Sequence, residues 1–367
     1  MAEWTGVVNA TAIDYFKGAD DHTIRRRLLL SMLRRRGRIK YNASGYKQVW
    51  DVEFSEPEVR AYGDAGSQVF NSHDAYRQLE NDWRGYTVTD KLTKKQQLMN
   101  KGPSAIIDLY ETKLPKMKKS LSNRFGNELY IDGNAAGNEN RIHGLASFLG
   151  DDGATAVTDL IANPSDTYGG LSTALANQGG AWTTTANTTA PNATIGNDWP
   201  NGSGDSEYDF LAPKLMNYSS TRWNNGGTSW AENCEKVMRQ ACIWSNVLGH
   251  DSANFCHLLS SQMFADFKNF MSARNRISVP HKEAEDLGFH DTLNFDGSVV
   301  KYEYGVPHQT GFLLCLEEMQ VESLQEQLFV PDGPDWNMLA KAFLFEVGFF
   351  GNCRYNPKAF GKYAAYA

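Results

Sequence analysis

Eight histidines and five cysteines are the residues of this chain best suited to bind a metal or act as nucleophiles. Their spacing argues against both roles. Cys234, Cys242, Cys256, Cys315 and Cys353 are odd in number, dispersed and without a CxxC pair. They read as reduced cysteines serving as small apolar residues. The closest histidines, His250 and His257, lack the companion ligands of a metal motif and read as surface or satisfied core residues. The stretch DGNAAGNEN, 132–140, offers oxygen ligands without the acidic spacing of a calcium loop, so it reads as a turn. Asp151 and Asp152 could do acid–base work, but no motif supplies them with partners. The motifs GxSxG, HExxH, GxGxxG and the Walker-type phosphate loop are absent. No catalytic residue, metal site or cofactor is expected. Six Asn-X-Ser/Thr tripeptides fit the glycan-acceptor pattern. The first residues, MAEWTGVVNATAIDYFKGADD, carry no basic segment followed by an apolar one, and an Asn/Ser/Thr-rich composition is cause enough for the tripeptides.

The informative residues are instead basic and aromatic, and they need elements to hold them. RRRLLLSMLRRRGRIK, 25–40, packs eight basic groups into sixteen residues. Asp20 or Asp21 can cap a helix running from about 22 to 36 and ended by Gly37. Successive helical residues are about 100° apart, so Arg25, Arg26 and Arg27 cannot share a face with Arg34, Arg35 and Arg36. Ile24, Leu28 and Met32 form a short apolar stripe between these two basic collars. A membrane-surface helix needs a clean division into two faces, which this one lacks. The run reads as an arm that contacts protein on one side and anions on others.

From about 45 to 89 the pattern turns aromatic and β-branched. Trp50, Val52 and Phe54 alternate with polar residues, and GDAG interrupts a second extended stretch ending in Phe70. The reading is a long projecting β-hairpin. Its Trp50, Phe54, Tyr62 and Phe70 would be liabilities in a monomer and a binding surface against a neighbour. Residues 89–133 have helical composition, with Ile106, Leu109, Tyr110, Leu114, Met117, Leu121 and Phe125 on one ladder and Pro103 and Pro115 expected to start, kink or segment it. Residues 151–227 are rich in Gly, Asn and Thr and read as ordered loops. Beyond them, 228–249 and NFCHLLSSQMFADFKNFMSARNRI read as two helices. SVVKYEYG, TGFLLCLEEMQV and KAFLFEVGFFGN read as strands.

A length of 367 residues allows two or three lobes around a sizeable core. No apolar run approaches a membrane span, so no membrane partner is expected. Residues 21–40 carry a local +7, which leaves −14 for the remainder of a chain with net charge −7. A basic arm on an acidic body suits association between copies.

EAEDLGFHDTLNFDGSVVKYEYGVP, GFLLCLEEMQVES and FLFEVGFFGNCRYNPKAFGKYAAYA, in that order, resemble the C-terminal region of tailed-bacteriophage major capsid proteins. RWNNGGTSW with its following helix is similar to the entry into that family's axial domain. YIDGN…GLASFL is similar to the segment after its spine helix. The resemblance implies an α+β chain of the Hong Kong ninety-seven type. It would comprise an N-terminal arm (1–45), an extended loop (46–91), a peripheral domain with a long spine helix (92–150, with 341–367 returning to it), a loop region (151–227) and an axial domain (228–340). It implies a virion head protein, assembled in the host cytoplasm as hexamers and pentamers around double-stranded DNA. Separate scaffolding, portal and decoration proteins would be its partners. With only about 45 residues ahead of the hairpin, no internal scaffold is expected and the mature subunit should still begin at Met1 or Ala2. The basic arm is expected against neighbouring subunits on the inner side of the shell, with DNA its rival partner.

Two other readings follow from the same residues. An encapsulin-like compartment would share the fold and differ in cargo. A carbohydrate-binding or glycan-hydrolysing protein would draw on nine Trp, sixteen Tyr and the loop-rich middle, although no motif supplies its carboxylate pair.

Overall fold

The computed structural model describes residues 27–53, 61–63, 70, 72, 75–99, 103–149, 156–157, 160–161, 167–173, 210–211, 213–219, 223, 228–246, 249–273 and 292–365. In chain order these form α1 (Leu28–Arg35), β1 (Ile39–Lys40), β2 (Gln48–Glu53), β3 (Tyr76–Asn81), β4 (Arg84–Thr93), α2 (Lys94–Met99) and α3 (Pro103–Glu128). Short strands follow: β5 (Ala156–Val157), β6 (Leu160–Ile161), β7 (Thr167–Tyr168), β8 (Leu171–Ser172) and β9 (Lys214–Asn217). The last part holds α4 (Trp230–Ser245), β10 (Phe255–Leu259), α5 (Ser261–Ala273), β11 (Leu293–Phe295), β12 (Ser298–Tyr302) and β13 (Gly311–Cys315). It ends with β14 (Met319–Ser323), β15 (Val330–Asn337), β16 (Ala342–Tyr355) and β17 (Gly361–Ala364).

Two sheets organise the chain. In the first, β16 is the hub: β4 runs antiparallel along one side, while β15 and β14 share the other, and β1 adds parallel to β14. Alternate residues Phe345, Val347 and Phe349 of β16 are buried, as period-two patterning requires. Against that face lies α3. Its Met117, Leu121 and Phe125 are buried, with the Phe125 and Phe349 rings 4.8 Å apart at 69°. The side chains of Ile106, Leu109 and Tyr110, expected on the same ladder, lie outside the described ones. Pro103 opens this helix, where its missing N–H costs nothing. Pro115 is carried inside one continuous helix of 26 residues.

The second sheet has eight strands in the order β11-β12-β10-β13-β17-β9-β6-β5. Here the structure corrects the sequence reading of a single helix from 254. All five residues of FCHLL are buried as β10, hydrogen-bonded between β12 and β13, and the helix begins only at Ser261. Ser229 and Glu232 form a reciprocal capping box at the start of α4. The Trp230 indole N–H donates to the Met263 carbonyl at 2.9 Å and so joins α4 to α5. Val237 and Ala241 are buried on the same face of α4.

Three expected boundaries shift. The hairpin is formed by β2 and β3 alone, because β4 pairs along its whole length with β16 rather than back across the hairpin. The strands β14 and β15, within the stretch 228–340 expected as one domain, pair in the first sheet, while β10 to β13 pair in the second. The C-terminal segment, expected to return to one lobe, is shared: β16 anchors the first sheet and β17 enters the second, antiparallel to β13 and parallel to β9.

Candidate assembly surfaces

The basic run is divided by its packing. Leu28, Leu29, Met32 and Leu33 of α1 are all buried, a wider stripe than the sequence spacing suggested. The helix stops in a Schellman motif, with Arg38 N–H donating to Leu33 O at 2.8 Å and Gly37 N–H to Arg34 O at 3.2 Å. Gly37 sits at φ 67°, a conformation that costs glycine nothing. The chain then enters the first sheet as β1.

Arg27 is 4% exposed, and its guanidinium donates to Tyr304 O, to Asn123 O at 3.0 Å and to Asn127 Oδ1 at 2.6 Å. A Cβ on Gly126 would stand 2.5 Å from Arg27 Nε, so glycine there admits the side chain. Arg36 donates to Asn254 Oδ1 at 2.9 Å and Ala253 O at 2.8 Å. Arg34 and Arg35 are exposed at the helix C-terminus, where their charge complements the dipole. Arg25 and Arg26 lie outside the described residues. Thus Arg27 and Arg36 bind their own chain, while Arg34 and Arg35 are exposed.

Beneath the start of α1 lies Glu303, 6% exposed, whose Oε2 accepts from Leu29 N–H at 3.1 Å. Burial pushes its carboxyl up to about 7, ahead of the opposing pull of that amide and of Arg27. Nothing in the spacing of KYEYG marks this glutamate as buried.

The hairpin is pinned at its base, and the apolar residues described beyond it are exposed. Trp50 packs 6.1 Å from the buried Tyr168 ring, and Leu79 is fully buried against Gly169, where a Cβ would stand 2.7 Å from it. Glu80 N–H donates to Gly169 O at 3.0 Å. Trp50, expected on a neighbour, is therefore half-buried in its own subunit. By contrast Phe70 is 90% and Tyr62 68% exposed, and Val49 and Tyr76 are exposed with them. Phe54 lies outside the described residues. Asp51 and Glu53 are exposed on β2.

A second apolar region, which the sequence did not flag, sits where β15 turns into β16. Leu339 is 98% and Met338 80% exposed on that turn, and Leu98 of α2 is exposed nearby. Asn337 Oδ1 holds the turn by accepting from Leu339 and Ala340 N–H. Beside it a groove of about 470 Å³ is lined by Thr93, Lys94, Lys95, Leu98, Ala340 and Lys341. In sequence, WNMLAK is indistinguishable from a core-forming stretch; exposure alone separates the two.

One constellation has the outline of nucleophilic chemistry. Cys242 Sγ lies 3.4 Å from His257 Nε2, and His257 Nδ1 lies 2.9 Å from the Tyr363 hydroxyl. Burial pushes the thiol up to about 12 and the imidazole down to about 3, so neither the thiolate nor the imidazolium of a reactive pair forms near neutrality. None of the five cysteines forms a disulfide. A cleft of about 320 Å³ brings Trp50 near Glu317 and Glu318. Both carboxylates, however, hold His250, at 3.0 and 2.9 Å. Among the described residues no helix is long and apolar enough to cross a membrane.

No protein-family model matches the sequence, and none of the curated proteins is similar to it. Solved structures are similar in fold. The capsid protein of cyanophage A-1(L) matches with a TM-score of 0.55 and 13% identity over 96% of this chain and 95% of that one. The capsid protein of an empty GTA particle matches with a TM-score of 0.54 and 8% identity over 96% and 100%. The capsid protein of cyanophage P-SCSP1u matches with a TM-score of 0.50 and 10% identity over 98% and 94%. The chain has the α+β Hong Kong ninety-seven type fold.

Proposed function

We propose that this chain is a major capsid protein. It would self-assemble through hexamers and pentamers into an icosahedral virion shell around double-stranded DNA, with no catalytic role. On this reading the first sheet with α3 is the peripheral domain, the second sheet with α4 and α5 the axial domain, and β2–β3 the base of the extended loop. Separate scaffolding, portal and decoration proteins complete the particle.

One observation carries the reading: two unlike exposed apolar surfaces sit at opposite ends of β4. The hairpin leaves the body beside Arg84, and the groove begins at Thr93, nine residues and about 30 Å further along the strand. The hairpin adds Asp51 and Glu53 to its aromatics, and the groove is rimmed by Lys94, Lys95 and Lys341. Complementary patches at separate sites make head-to-tail contacts, and such contacts close into rings. Arg34 and Arg35, exposed at the end of α1, are where acidic neighbours or packaged DNA would meet this run.

Electron microscopy of the expressed protein is the direct test, with shells or sheets expected and a persistent monomer refuting the reading. Lys94→Glu with Lys95→Glu should cut shell yield at least tenfold, and Asp51→Lys with Glu53→Lys should restore part of it. No restoration would remove the proposed pairing while leaving the shell reading to the wild-type result.

A further inference from the structure

Glu303 is a carboxylic acid placed where the arm helix meets the body. Its Oε2 accepts from Leu29 N–H in the first turn of α1. Its Oε1 and the Tyr130 hydroxyl facing it are both buried without a close hydrogen bond, although the hydroxyl, like the Leu29 amide and Arg27, favours the charged acid against the stronger effect of burial. The groups around it come from three elements: Arg27 at the start of α1, Tyr130 just after α3, and Lys301 on its own strand, β12. No second acid faces it among the groups that act on it. Gly305, at φ 114°, brings the backbone after β12 close beside Arg27, Asn127 and Tyr130. A carboxylate here has one oxygen bonded and the other buried without a close hydrogen bond. A neutral acid leaves no bare charge on that oxygen and can turn its proton toward Tyr130.

We propose that Glu303 makes docking of the arm helix proton-linked, the neutral acid holding α1 against the body more firmly than the carboxylate does. The inference concerns contacts within one subunit and stands independently of the shell reading. Its direction follows from where the proton resides. In the docked arm Glu303 keeps its proton up to about pH 7, whereas a carboxyl freed into water releases it near its ordinary value of 4.5. Docking therefore takes up a proton between those limits. The preference for the docked state is fullest below about pH 4.5, weakens as pH rises and levels off above about 7. Gly37, at φ 67° between α1 and β1, is the link about which α1 would lift.

Amide hydrogen exchange on the soluble full-length subunit reads this directly. Protection of the α1 amides, corrected for intrinsic rates, should fall by up to tenfold per pH unit between pH 5.5 and 7 and then flatten. Protection in α4 should stay level over the same range. Glu303→Gln, neutral and nearly isosteric, should give a flat α1 profile. A flat profile in the wild-type subunit, a slope shared equally by α4, or a slope that persists in Glu303→Gln would each overturn the proposal. The wild-type profile decides alone if that variant does not fold.

Discussion

The arm helix and the hairpin look alike in sequence, both being runs of residues that a monomer should not want on its surface, yet they occupy opposite ends of a scale. In α1 four apolar residues are buried, and Arg27 and Arg36 of the run are bonded to distant parts of the same chain. In the hairpin only the base is held, by Trp50 on Tyr168 and Leu79 on Gly169, while Phe70 and Tyr62 face solvent. The difference lies in the partners. The arginines find carbonyl and amide oxygens at 123, 127, 253, 254 and 304 in their own fold. No ring described within the subunit stacks on the outer aromatics. Charge density and aromaticity mark a segment as sticky; folding decides whether it sticks to itself.

Substitutions can break this contrast. Arg27→Ala should have the largest effect on the isolated subunit, lowering stability by about 3 kcal/mol because a buried guanidinium and its three part-buried hydrogen bonds are lost together. A urea midpoint unchanged from wild type would return α1 to the class of loose arms. Next is Trp50→Ser, which removes half-buried area against Tyr168 and should cost the subunit about 2 kcal/mol. This makes Trp50 a poor probe of contacts between subunits. Arg34→Gln with Arg35→Gln should cost about 0.5 kcal/mol through the helix dipole, with any larger loss confined to assembly. The smallest effect on the subunit should come from Tyr62→Ser with Phe70→Ser: unfolding within about 0.5 kcal/mol of wild type. Shell yield should nonetheless collapse. Normal shells from that variant would show that the exposed end of the hairpin is not a contact surface.

Much of the architecture was legible because it is periodic. The ladder of α3, the alternation in β2 and the apolar runs of β13 and β16 each repeat with the period of their element. The failures have local causes. Five consecutive apolar residues in β10 suit a strand buried on both faces, but next to α5 they read as one longer helix. VPDGPDWN does not read as a strand at all, yet as β15 it occupies the outer edge of the first sheet, where prolines are tolerated and acidic residues discourage further pairing. The candidate surfaces were legible only in type. Arg27 and Arg34 are the same residue in the same run, and only packing against residues about a hundred and nearly three hundred positions away distinguishes them.

The junction between β16 and β17 has a mechanical consequence. Phe148, Tyr168, Tyr355 and Phe360 form one aromatic cluster there, with ring centroids 5.0 to 6.4 Å apart. The Tyr168 hydroxyl accepts from Tyr355 N–H at 2.9 Å, and the same Tyr168 ring supports Trp50. The hairpin is thus a lever whose fulcrum is the point where one sheet hands the chain to the other. A load on its far end arrives as torque at this cluster. From there it passes as shear along β16 into the first sheet and along β17 into the second, so neither sheet can be pulled without the other feeling the strain.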